Sequence, residues 1–519
     1  MPLKKTYRNV LDQSPEQLEL VLNIPSFVGG ENTVGQDQEL KSNEARVIEN
    51  WDSDSLGGMV RAKGFTQIAS GGASYSTAPD GMLHHFEGTS TRDYVVVGGD
   101  LTRINGTALT QTDASAFTSG VLTSSLSAGN RAWFTNGTDN LKYTTIAGSI
   151  AAPTGVPSVA KERIYYHKSR LLAEGGSVTL QGSRVGTGNW HASADTWTAS
   201  GDAWSIDLPD LTQGCIPGFP AGGQITVFTK FGAYAITGMP NVAQNYILGS
   251  HGCSQPYSIQ LGAEGVYLFS LYPTLGVFRW DGSSWVNLTV NETWPSTVSL
   301  TNRCFSVYSE NKYRFYYNDN TSGVSYPNVC KIYDARWGRW MTRAINVAVG
   351  DNFGIPMLRT KVNNELYVSS SRNDVIYQME DISDSDNTNA TIANYKTKDF
   401  TSLDFGLPND EVRMKLLKAT VTFFGTTGTF SLQWVSDRGR YSGSMSFNLQ
   451  AAGDLINTTF TVNTSSIISS SSLPDKTETR SFSNSAVGQR FAFQLLNQGT
   501  GQRVKIKKIK IVAIALNEA

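Results

Sequence analysis

Short runs of alternating apolar and polar residues, rather than helical stripes, organise most of this chain. Between Met82 and Tyr377 the recurring unit is a pair of such runs meeting at a Gly, Asn or Asp turn. Seven pairs are legible: 94–104; 131–137 with 141–143; 163–167 with 170–172; 224–228 with 232–236; 265–269 with 276–282; 313–317 with 329–334; and 365–368 with 375–377. Tyr, Phe, Trp and β-branched residues dominate them, which fits pleated, half-buried strands. The pairs recur irregularly, every 30 to 60 residues or so, which brackets the period of about 40 to 50 typical of propeller blades. A small sheet cannot bury both faces alone, whereas sheets stacked around a common axis bury them and leave only short edges. The pattern therefore predicts an all-β chain built on a β-propeller of six or seven blades, some incomplete. The same alternation also allows a pair of β-sandwiches.

The flanks read differently. Residues 1–70 carry one candidate helix, 15–22, followed by Phe27-Val28-Gly29-Gly30 and a polar stretch with little apolar periodicity. They are expected to form an extended N-terminal arm lying along another surface, of this subunit or a neighbour. The propeller is expected over 71–385, closing near the polar run 384–390, which reads as a linker or exposed loop. Over 386–519, runs at 412–424, 429–435, 444–449, 459–462, 489–496 and 504–516 predict a C-terminal β-sandwich or jelly roll, with 465–472 as a long serine-rich loop.

Composition sharpens this outline. The chain has 519 residues with 39% apolar, 23 Phe, 21 Tyr and 11 Trp, enough to fold without staples, while its 49 Gly imply many reversals. Its 43 basic and 44 acidic residues leave a formal charge of -1, which argues against gripping nucleic acid through a generalised basic surface. Cys215, Cys253, Cys304 and Cys330 are widely spaced with no C-x-x-C pair, so they read as reduced structural thiols. Met1-Pro2-Leu3-Lys4-Lys5 runs into Asn9 and Asp12 rather than an apolar stretch, and no run approaches the roughly 18 residues needed to span a bilayer. Neither a signal peptide nor a membrane-spanning segment is expected, and folding is expected in a reducing cytoplasm.

The sequence offers no assembled chemistry. A propeller glycosidase would need paired carboxylates, or a Tyr nucleophile with Glu, and arginines for an acidic sugar. Asp281-Gly282, between Trp280 and Trp285, fits a tight hairpin and lacks the spaced Ser-x-Asp-x-Gly pattern of sialidase Asp boxes. His84, His85, His167, His191 and His251 show no metal-binding spacing; the adjacent pair would point to opposite faces of a strand, and all five read as polar edge positions. Gly186-Thr187-Gly188-Asn189-Trp190 precedes no helix, which leaves only a tenuous anion nest. No catalytic, cofactor or metal residue is assigned. The most basic stretch, Arg503 to Ile511, alternates until Lys507-Lys508 breaks the register. It reads as a strand with a solvated face and a bulge, and Arg503, Lys505 and Lys507 are its candidates for DNA-facing contact.

Two groups of motifs carry a resemblance. The first is Phe27-Val28-Gly29-Gly30-Glu31-Asn32, then 40–52 ending in Asn50-Trp51-Asp52, then 58–66 ending in Lys63-Gly64-Phe65-Thr66. The second is 226–234, Gly252-Cys253-Ser254, 263–269, Val277-Phe278-Arg279-Trp280-Asp281-Gly282 and 333–340. In this order they resemble the tail nozzle or packaged-DNA stabilisation proteins of short-tailed bacteriophages. The resemblance implies a non-enzymatic virion protein assembled in the host cytoplasm. It implies a homo-hexameric ring below the head-to-tail adaptor and portal, contacts with tail fibres or spikes, and transient passage of double-stranded DNA. Phe27 and Trp51 in the arm are the candidates for subunit contact. Two other roles remain open: a host-surface carbohydrate-binding or depolymerising tail protein on a propeller scaffold, and a cellular propeller serving as an interaction platform.

Overall fold

The computed structural model describes residues 19–34, 40–54, 56–71, 75–153, 160–184, 203–247, 249–290, 294, 304–318, 326–344, 351–359, 365–379, 392–425, 428–449, 475–499 and 502–516. The expected features at 186–190, His191, 384–390, 459–462 and 465–472 lie outside them. Among the described residues there are forty strands, two short 3-10 turns and no α-helix.

Six small antiparallel sheets and one end of a larger sheet form a propeller. Blade one spans 79–113, blade two 124–144, blade three 163–207, blade four 212–246 and blade five 260–287. The strands Phe305–Ser309, Lys312–Tyr317, Val329–Asp334 and Arg339–Arg343 take the sixth place, at the end of a ten-stranded sheet. Blade seven is made by Phe353–Arg359, Glu365–Ser370 and Ile376–Met379. The first strand of blade seven packs beside Pro79–Glu87 of blade one, which closes the ring.

Each of the seven aromatic hairpins read from the sequence supplies one blade. Turn chemistry fixes their register. Val97 pairs with Asp100 across Gly98-Gly99, both with positive φ, and a Cβ on Gly99 would stand 2.6 Å from the Phe117 carbonyl oxygen. The aromatic side chains go to the seams between blades: Tyr267 stacks on Tyr313 with ring centroids 5.2 Å apart, and Phe269 on Phe315 at 5.1 Å. Burying each such ring contributes on the order of 2–3 kcal/mol.

The described residues of the 19–69 stretch lie along this subunit. Phe65–Ala69 adds the fourth, outermost strand to blade seven, so an N-terminal segment completes the last blade. Upstream, Glu44–Glu49 is inserted between the outer strand of blade six and Ala393–Thr401, which extends blade six into the ten-stranded sheet. Arg490–Asn497, Thr429–Ser436 and Tyr441–Asn448 continue it. The expected helix at 15–22 is corrected where it is described: Glu19–Ile24 is a strand paired antiparallel to Val504–Ala515. Leu20, Leu22 and Ile24 are buried while Glu19 and Asn23 face out, so tertiary pairing overrides helix propensity.

A seven-stranded sheet, centred on Met414–Gly425 and Val504–Ala515, faces the ten-stranded one. Phe423 meets Phe430 at 4.9 Å and Trp434 meets Phe482 at 6.3 Å between them. The same buried cluster contains Phe305 and Tyr316 of blade six and Phe353 and Leu366 of blade seven. One core therefore serves both the two facing sheets and one side of the propeller.

Candidate functional site

The innermost strands enclose a cavity of about 410 Å³ on the propeller axis. Met82, Leu126, Ile164, Ile216, Phe305 and Ile355 each present an apolar side chain to it, from six different blades. Side chains of these first strands alternate between the two flanking blades, and Met82 packs with Val95 and Val97 of its own blade and with Met357 and Tyr367 of blade seven.

The polar groups around this axis are spent on joining blades. Ser125 Oγ donates to the Met82 carbonyl at 2.9 Å, tying blade two to blade one. Arg163 Nη2 donates to the Thr212 carbonyl at 3.1 Å, tying blade three to four. Gln260 Nε2 donates to the Ser306 carbonyl at 3.0 Å, tying blade five to six, and Ser306 Oγ donates to the Tyr257 carbonyl at 2.8 Å in the turn that precedes blade five. Asp80 at the rim accepts from Gly120 N at 2.8 Å.

The strongest electrostatic feature there is the buried pair of Arg163 and Glu174. Nε stands 2.6 Å from Oε1 and Nη2 3.3 Å from Oε2, a two-pronged contact, while Nη1 reaches Glu162 at 2.8 Å. Tyr165 donates to Glu174 at 3.1 Å. Burial, the largest single influence, opposes the Arg163 charge, but Glu174 together with Tyr165 and Tyr257 outweighs it and holds the guanidinium well above its usual value. Burial, then Glu174, pushes both the Tyr165 phenol and the Cys215 thiol well up. A carboxylate beside Cys215 thus disfavours the thiolate, the reverse of nucleophile activation. Hairpin register held the signal for this pair: with His167 opposite Arg170, residue 163 must face residue 174.

A second polar constellation fastens the arm to blade six. Lys331 Nζ lies 2.6 Å from Glu31 Oε2, which also accepts from Thr342 Oγ1 at 3.0 Å. Arg343 donates to Asn50 Oδ1 at 2.8 Å and to the Lys63 carbonyl. Lys312 pairs with Asp52, and Arg339 donates to the Phe27 carbonyl. The two residues expected to contact a neighbouring subunit are here corrected. Phe27 and Trp51 are 1% and 2% exposed, inside this subunit's own core, with Phe27 edge-on to Tyr395 at 5.3 Å. That enclosure leaves almost no ring surface for a second chain to cover.

The basic candidates do not converge on a free positive face. Val504–Ala515 lies inside the seven-stranded sheet, and its bulge falls at Lys507, since Thr422 pairs with Lys508 while Phe423 pairs with Ile506. Lys505 is neutralised by Asp54 at 2.5 Å and Lys507 by Asp475 at 2.6 Å; Arg503 is exposed. Asp281 caps its own turn, accepting from the backbone N–H groups of Ser283 and Ser284 at 2.8 Å.

The described histidines correct the expectation of edge positions. His84 and His85 are 5% and 0% exposed, because their strand lies at a blade seam. His84 meets Asp93, and His85 meets Ser127 Oγ of blade two at 2.9 Å. His167 is buried, and His251 stacks on Phe278 at 3.7 Å. The four cysteines are buried free thiols, and burial pushes Cys253 up to about 11 and Cys304 up to about 12.

No family model matches the chain, and no curated protein matches it. Solved structures that resemble it do so at low identity. The WD40 beta propeller domain of Doa1 has a TM-score of 0.40 at 6% identity, over 61% of this chain and 96% of that one. BamB from Moraxella catarrhalis has 0.35 at 11%, over 63% and 92%. The computationally designed Ika8 protein has 0.36 at 10%, over 60% and 99%. The propeller assignment rests on strand order and ring closure. Among the described residues no helix is long and apolar enough to cross a membrane.

Proposed function

We propose that this chain is a structural virion protein, a tail nozzle or hub subunit that closes the head-to-tail channel, retains packaged DNA and releases it at infection. The observation that carries this reading is the sheet running from blade six through Glu44–Glu49 to Tyr441–Asn448. Force applied to the C-terminal sheets reaches the propeller along hydrogen-bonded strands and a shared close-packed core, which suits a part under internal pressure. The motifs resembling tail-nozzle proteins support the same reading. So does the spending of axial polar groups on blade seams, which suits a mechanical role better than a chemical one.

In this role the subunit acts as a homo-hexamer with head-to-tail contacts around a rotation axis. Its neighbours are the portal and adaptor above and fibres or spikes beside it, and its place is the virion tail, assembled in the host cytoplasm. Near-neutral charge, with Lys505 and Lys507 paired to carboxylates, lets DNA pass without tight binding. Native mass measurement of the full chain, alone and mixed with its portal–adaptor complex, tests this. A species of six chains, each 56.5 kDa, is expected. Monomers under both conditions would overturn it.

A further inference from the structure

Blade six and the arm set four side chains in one row. Phe315 pairs with Lys331, Lys331 with Thr342, and Thr342 with Glu49 across successive strands of the ten-stranded sheet. Directly paired residues point to the same face and stand about 5 Å apart, so amine, hydroxyl and carboxyl lie side by side. Glu31 lies over this row. Its Oε2 is 2.6 Å from Lys331 Nζ and accepts from Thr342 Oγ1 at 3.0 Å. Both members of the ion pair are largely shut off from water, and the fully buried Phe315 flanks the lysine.

Such a site holds the parts of an amide-forming reaction. An amine and a carboxyl kept in contact have already lost the freedom that a reaction between separate molecules must give up. Holding two charges out of water is costly, and the amide that replaces them carries neither. Thr342 Oγ1 donates to a Glu31 oxygen, where negative charge gathers when the carboxyl carbon is attacked. A proton carrier is also at hand. Burial, then the nearby Glu31 charge, raises the Glu49 carboxyl above its usual value and so favours its protonated form.

We propose that Lys331 and Glu31 become joined by an intramolecular isopeptide bond, formed from their ion pair with Glu49 as the proton relay. Lys331 Nζ gives up two protons and forms a bond to Glu31 Cδ. One C–O bond of Glu31 breaks, and its oxygen leaves as water with two protons handed on through Glu49. Glu49 ends protonated, as it began, and nothing is oxidised or reduced. The bond makes the hold of the arm on blade six covalent, between residues 300 positions apart in the chain. This modification goes beyond the ring-subunit reading and holds whether or not the chain forms a hexamer.

Intact-mass measurement of the denatured full chain, with tandem sequencing of its tryptic peptides, tests it. A mass lower by one water, about 18 Da, is expected, with a branched peptide joining Lys331 to Glu31 and no cleavage after Lys331. Lys331→Arg keeps the charge pair but replaces the amine by a guanidinium that stays protonated, and is expected to restore the full sequence mass. Glu49→Gln is expected to slow bond formation by about a hundredfold, read as a largely unbranched chain with the same β-rich circular dichroism. A wild-type chain at its full sequence mass would overturn the proposal and leave an ion pair only. So would a loss of one water that Lys331→Arg retains. Branching undiminished in Glu49→Gln would overturn the relay.

Discussion

Lys331 of blade six and Glu31 of the N-terminal arm, 300 residues apart in the chain, form a buried ion pair at 2.6 Å. Their side chains are 12% and 6% exposed, so neither recovers full hydration if the other is lost. Lys331→Met is therefore expected to destabilise the protein by about 3–5 kcal/mol. Lys331→Met combined with Glu31→Leu should cost less than the single change. Chemical denaturation of the single and double variants checks the coupling; equal losses for both would show that the pair does not hold the arm.

The same reasoning applies at the axis. Glu174→Gln leaves the Arg163 guanidinium buried at the seam between blades three and four, with Glu162 its remaining carboxylate partner. A loss of about 3–5 kcal/mol is expected, read as a fall of several degrees in apparent melting temperature. Hydrogen exchange should show the increased opening concentrated in 163–217, not spread over the molecule.

Stability should depend on pH through His85. Burial lowers this imidazole from 6.5 to about 4, with Glu87 opposing and His84 and Arg92 adding to the shift. Between those values the unfolded chain binds a proton that the folded chain refuses, so stability present above pH 6.5 is lost as pH falls and levels off below about 4. His85→Asn should flatten the fall across that window. His167 and His251, also lowered by burial, keep part of the slope. Denaturation midpoints measured across the window decide this, and an identical slope in the variant would count against a neutral buried His85.

Gly99 offers a test of blade register. Its φ of +88° and the Phe117 carbonyl 2.6 Å from a would-be Cβ exclude a side chain. Gly99→Ala is expected to cost more than about 1 kcal/mol, whereas Gly106→Ala, with open space around it, should cost only the backbone term. Comparing the two melting temperatures separates the clash from φ strain.

The hairpins were legible because both strands and the turn lie within a few dozen residues: Tyr313 to Tyr317 and Val329 to Asp334 announce themselves by alternation alone. The arm was not. Glu49 pairs with Thr342, Glu19 with Ile514 and Phe65 with Met379, partners for which no local pattern exists. Leu20, Leu22 and Ile24 have strand periodicity, and the strand that pairs with them lies near residue 510. His84 and His85 lie away from an edge because a blade's first strand is walled by the next blade, which no local pattern in the sequence reveals. Phe231 and Tyr272 stand 41 positions apart and meet only where blades four and five lie side by side.

Electron cryo-microscopy of the purified full chain together with its portal–adaptor complex tests the central claim most directly. Closed six-membered rings around an axial hole are expected, each subunit a propeller with its arm strands Glu19–Ile24, Glu44–Glu49 and Phe65–Ala69 laid along its own body. Isolated monomers that leave the portal uncapped, or that degrade a host polysaccharide, would contradict it.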